Sequence, residues 1–71
     1  MKQKYKAPSL VAGEKFKSLL KERGFTYESF AFDFGIQPRQ VSRWIHNGIS
    51  KIDIIYQIAE FFDVDKTSLL L

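Results

Sequence analysis

The chain has 71 residues, 45% of them hydrophobic and 15% aromatic, with no cysteine and a formal net charge of +3. This suffices for one small core, and it excludes a disulfide framework or a cysteine-ligated zinc site, so stability must come from compact helix packing, from self-association, or from both. No stretch approaches the roughly 18 apolar residues of a membrane span and no apolar signal-peptide run opens the chain, so a cytoplasmic protein is expected.

Residues 1–8, "MKQKYKAP", carry Lys2, Lys4 and Lys6 at alternate positions and end in proline. They read as a flexible basic N-terminal arm ahead of one domain over residues 9–71. From Ser9 the pattern turns helical: Phe16, Leu19 and Leu20 repeat at i, i+3 and i+4, Val11 or Ala12 extends the stripe backwards, and Gly24 stops it after Arg23. Thr26 then caps a shorter second helix, where its hydroxyl can accept from first-turn amides and Glu28 suits the positive helix end. Phe30, Ala31 and Phe34 form the inward face, Phe32 lies off it, and Gly35 ends the element.

A third helix begins almost at once. Proline is tolerated at the first helical position because its missing N–H would have had no partner there, so Pro38 marks a start with Gln37 at the cap. This helix is expected to run to Ile45 or His46 and to close at Asn47-Gly48, residues that tolerate a left-handed conformation. Ser50 and Asp53 have capping-box spacing for a fourth helix whose inward set is Ile52, Ile55, Ile58, Ala59 and Phe62. Asp65 can cap a last short turn ending in Leu69, Leu70 and Leu71. Nothing reads as a strand, and the fold class expected is all-α with five helices.

Charge is distributed unevenly. Residues 1–51 hold ten Lys and Arg against four acids, whereas residues 52–71 hold only Lys66 against Asp53, Glu60, Asp63 and Asp65. Such a basic end fits an anionic partner, nucleic acid foremost, or a merely solvated surface. The third helix sharpens the choice. At about 100° per residue, Val41, Trp44 and Ile45 share one arc. Arg39, Ser42, Arg43 and His46 lie opposite, with Gln40 to one side and no acid among them. Solvated helices usually mix both signs of charge on the exposed face. Arginine can bond guanine O6 and N7 in bidentate fashion, and glutamine can do the same for adenine N6 and N7. A short helix from Thr26, a turn at Gly35 and a helix from Pro38 also have helix-turn-helix spacing, in which the second helix enters the major groove.

The stretch "GEKFKSLLKERGFTYESFAFDFGIQPRQVSRWIHNG" resembles the Cro/C1-type, or XRE-type, helix-turn-helix family of bacterial and phage transcriptional regulators, and "IIYQIAEFFDVDKTSLL" is similar to that family's fourth and fifth helices. The resemblance implies a compact five-helix lambda-repressor-like domain that binds double-stranded DNA, often as a homodimer, in the bacterial cytoplasm and on the nucleoid. It implies base contacts from Gln37, Pro38, Arg39, Gln40 and Arg43. Phosphate contacts are implied for Thr26, Tyr27, Ser42, His46, Asn47, Ser50 and Lys51, and the lysines of the arm match the position and character of the DNA-wrapping arms of some phage repressors. Two departures bear on this. Tyr27 stands where many members have glutamine; its hydroxyl can donate to a phosphate but cannot copy a bidentate amide. Pro38 has no donor, so it can contribute only shape or contact with a thymine methyl.

Phe32, Phe61 and the terminal leucines Leu69–Leu71 exceed the evident needs of so small a core. They fit a dimer interface, a protein partner, or simple core filling, which keeps open a protein-interaction module built on the same fold. No catalytic residue, metal site or cofactor is expected: the chain has one histidine, no cysteine, no glycine-rich phosphate loop and no acid pair in a plausible pocket.

Overall fold

The computed structural model describes residues 7–70. Lys2, Lys4, Lys6 and Leu71 lie outside the described residues, and with them the expected contacts of the arm and the end of the leucine tail. Among the described residues there are five helices and no strands: α1 (Pro8–Glu22), α2 (Tyr27–Phe34), α3 (Pro38–Asn47), α4 (Ile52–Phe62) and α5 (Thr67–Leu70). The all-α five-helix architecture expected from the periodicity is the one present.

Helix α1 begins at Pro8, one residue before the apolar stripe suggests. Proline fits this first position as it fits Pro38 in α3, because the ring fixes a helical φ and the absent N–H had no acceptor to meet. Ala12, Phe16 and Leu20 are buried along α1, while Val11 and Leu19 are half-buried at its flank. Phe16 packs edge-to-face against Phe30 of α2 at 5.0 Å and against Trp44 of α3 at 5.9 Å, so one side chain joins three helices. Offset and edge-to-face aromatic pairs are favoured by the ring quadrupoles.

The aromatic surplus goes mostly into the core. Phe61 touches Phe25, Phe30, Phe34 and Phe62 at ring separations of 5.0–5.7 Å, and Leu69 is fully buried. Of the uses open to these side chains, Leu69 fills the core and Phe61 packs against it half-buried, as does Leu70. Phe32 keeps its off-stripe position and stays exposed. At the far end, Arg23 donates to the Phe62 carbonyl at 3.0 Å and lies over the Phe62 ring, tying the end of α1 to the end of α4. Asp65 accepts from the Thr67 N–H and starts α5.

Two local expectations fail at the entry to α4. The Ser50–Asp53 capping box does not form; α4 starts one residue later, with Lys51 at the cap and no side-chain cap hydrogen bond. Ile52, expected inward, is 47% exposed. Both follow from Ile49, which is buried in the core and whose N–H donates to the Ser9 carbonyl at 2.9 Å. That tie fixes the chain just ahead of α4, and Lys51 follows in an extended conformation at the cap, so the helix starts one residue later. Ile49 then fills the core at this end, and Ile52, on the first residue of α4, falls outside the buried arc.

Candidate nucleic-acid interface

Helix α2 is a short element with strong punctuation. Thr26 Oγ1 accepts from the Ser29 N–H at 3.0 Å while Ser29 Oγ accepts from the Thr26 N–H at 2.9 Å. This reciprocal pair satisfies two free amides of the first turn; the sequence indicated Thr26 but not Ser29. At the other end Gly35 turns the chain in a left-handed conformation, φ 89° and ψ 32°, and its N–H returns to the Ala31 carbonyl. Ile36 and Gln37 complete a tight connection into α3.

Helix α3 is held from within by Val41 and Trp44, both buried. The Trp44 ring is pinned edge-to-face between Phe16 and Phe34, at 5.9 and 6.1 Å. From α1, Gly13 admits the α3 backbone: a Cβ at that position would stand 2.5 Å from the Trp44 carbonyl oxygen. The sequence pattern did not single out Gly13, although a glycine inside a helical pattern signals close packing. Helix α3 runs through Asn47, which stays helical rather than left-handed, and Gly48 alone makes the exit at φ 96° and ψ 169°. Gln37 occupies the N-cap without a side-chain hydrogen bond.

This anchoring fixes what points outward. Gln37, Pro38, Arg39, Arg43, His46 and Asn47 are at or near the surface; Gln40 and Ser42 are half-buried at the two edges of the face. Ser50 and Lys51 are exposed beyond the exit, and Thr26 and half-buried Tyr27 stand at the start of α2. Five of the residues singled out in the sequence, Gln40, Arg43, Asn47, Ser50 and Lys51, come together along one cleft between α3 and the start of α4. Thr26 and Tyr27 do not belong to that group. Thr26 Oγ1 uses one of its two lone pairs in the cap, and its O–H is left to donate to a ligand.

None of Arg39, Arg43, His46 and Lys51 forms a side-chain hydrogen bond or ion pair with another described residue. An incoming anion therefore displaces water from these groups and breaks no contact among the described residues.

A family model described as a helix-turn-helix domain matches residues 13–71. The chain belongs to the helix-turn-helix domain family. The match spans α2, the Gly35 turn and α3 together with both flanking helices, in agreement with the Cro/C1-type resemblance. The family is in general one of DNA-binding regulators and typically non-enzymatic. No curated protein and no solved structure matches the chain. No helix among the described residues is long and apolar enough to cross a membrane.

Proposed function

We propose that this helix-turn-helix protein is a sequence-specific regulator of transcription, repressor-like in action, that lays α3 in the major groove of double-stranded DNA. The observation that carries the reading is the outward face of α3, which presents Arg39 and Arg43 uncommitted to any described residue, with no carboxylate between them, on a helix fixed to the core by Val41 and Trp44. Arg39, Gln40 and Arg43 supply base recognition, with Gln37 and Pro38 in contact at the helix start. Thr26, Tyr27, Ser42, His46, Asn47, Ser50 and Lys51 hold the phosphates, which contribute affinity rather than specificity. The lysines of residues 1–6 add to the same surface. The Ile49–Ser9 hydrogen bond supports this by holding the start of α1 against the exit of α3. The protein acts as a homodimer on DNA, in the bacterial cytoplasm and on the nucleoid, since this motif commonly reads two half-sites about 34 Å apart.

Selection of bound sites from a random DNA pool tests the reading, and a palindromic consensus is the expected result. On that site Arg43→Ala should cost about 1–3 kcal/mol and relax preference at one base pair. A second reading rests on Phe32, which is 86% exposed: the fold serves as a protein-interaction module. It prevails if Arg39→Ala and Arg43→Ala both leave DNA binding intact while Phe32→Ser abolishes function.

A further inference from the structure

The cleft between α3 and the start of α4 has a volume of about 480 Å³, which is within the range of small-molecule sites. Its walls are of three kinds. Half-buried Ile36 and Ile54, above buried Trp44 and Ile49, supply apolar surface, Gln40, Asn47 and Ser50 supply neutral polar groups, and Arg43 and Lys51 supply two cations. No carboxylate lines it, and neither cation has a partner among the described residues. A purely ionic ligand would stay in water at the rim and leave the apolar wall wet. A neutral apolar ligand would crowd two charged groups without pairing them, which costs desolvation with no return. The ligand that satisfies the apolar and the cationic walls together is an amphipathic anion, and the neutral polar groups can donate to its head.

We infer that this cleft binds a small organic anion with an aromatic apolar body and a single carboxylate, sulfonate or phosphate head, and that such a ligand excludes DNA. The head pairs with Arg43 and Lys51 while the body covers the wall formed by Ile36 and Ile54 and the exposed edge of Trp44. Exclusion of DNA rests on the proposed function, because Arg43 cannot pair with the anion and reach a base edge at once. Binding of the anion does not depend on that reading.

The probe is 8-anilinonaphthalene-1-sulfonate, titrated into the full chain. Trp44 is the sole tryptophan and lies in the cleft wall; its quenching by energy transfer reports binding of the probe to the domain, and the charge variants assign that binding to the cleft. The expected result is saturable one-site binding, weakened about tenfold in the Arg43→Gln, Lys51→Gln double variant because the charge-assisted hydrogen bonds to the head are removed. The double variant Lys17→Gln, Lys21→Gln removes the same charge from α1 and should bind the probe like the parent, as should Phe32→Ser. Addition of the probe to the complex with the selected DNA should raise the apparent Kd for DNA in proportion to occupancy. Unsaturable binding, or equal loss of affinity in the two charge variants, overturns the site. Probe binding with unchanged DNA affinity overturns the competition. A parent chain that binds no DNA refutes the proposed function alone, and the comparison of the two charge variants in the probe titration still decides the cleft.

Discussion

Gly48 concentrates more constraint than any other residue of the candidate interface. Its backbone, at φ 96° and ψ 169°, occupies a region that is essentially restricted to glycine. A Cβ there would also stand 2.7 Å from the Ser9 carbonyl oxygen, which is backbone and cannot swing aside. Backbone strain of about 1–3 kcal/mol and overpacking of similar size then act together, so Gly48→Ala should destabilise the domain by about 3 kcal/mol in urea unfolding. Gly35→Ala separates the two effects. Gly35 also has a positive φ, of 89°, but a Cβ added there would have no neighbouring atom within 4 Å, so only the left-handed penalty of about 1–2 kcal/mol remains. If the two variants are equally destabilised, the close approach of Gly48 to α1 carries nothing. Arg43 depends on the same packing. Gly13 and Gly48 let α1 press against the Trp44 carbonyl and the α3 exit, and this fixes the helix from which the guanidinium projects.

At the level of elements, α2 has only eight residues, too few to be stable in isolation. Its local support comes from the Thr26–Ser29 pair at the start and the Gly35 cap at the end. Thr26→Ala should cost about 1 kcal/mol, which in a domain of this size lowers Tm by about 4–8 °C. Thr26→Ser, which keeps the hydroxyl, should recover most of it; a serine variant as unstable as the alanine one would place the effect in the missing methyl group rather than the cap. Elements closed by such local chemistry are the ones legible in the sequence. Pro38 and Gly35 bound α3 and α2 correctly, and the 100° periodicity separates Arg39 and Arg43 from Val41 and Trp44. The start of α4 is not legible in this way, because Ser50 and Asp53 have the spacing of a box whereas the register is decided by Ile49 bonding to Ser9, distant in the chain. No local pattern encodes that contact. The cleft is illegible for the same reason, since Ile36, Trp44 and Ile54 come from a turn and two helices, and their meeting is a product of the fold.

Across the whole molecule, charge and topology reinforce each other. The basic residues are concentrated before Ile52 and four of the eight acids follow it, and the start of α1 is bonded to the exit of α3. Ala7 and Pro8 precede that bonded segment directly, and the six residues before them in the chain carry three of the eleven cations. Deleting residues 1–6 leaves in place every described member of the core, which among the described residues begins at Ala12, and urea unfolding of the truncated chain beside the parent establishes that the fold is kept. Its binding to the selected DNA should be weaker, and more so at low salt. Every phosphate left without its lysine takes about 0.9 from the slope of log K against log salt, so three lysines account for a drop of up to about 2.7. The slope is the decisive measurement, because a change in folded stability alters affinity without altering the number of counterions released. Replacing Lys2, Lys4 and Lys6 with glutamine should reproduce the drop with the segment still present. An unchanged slope in both variants would remove these lysines from the interface and leave phosphate binding to the residues around α2, α3 and the exit loop.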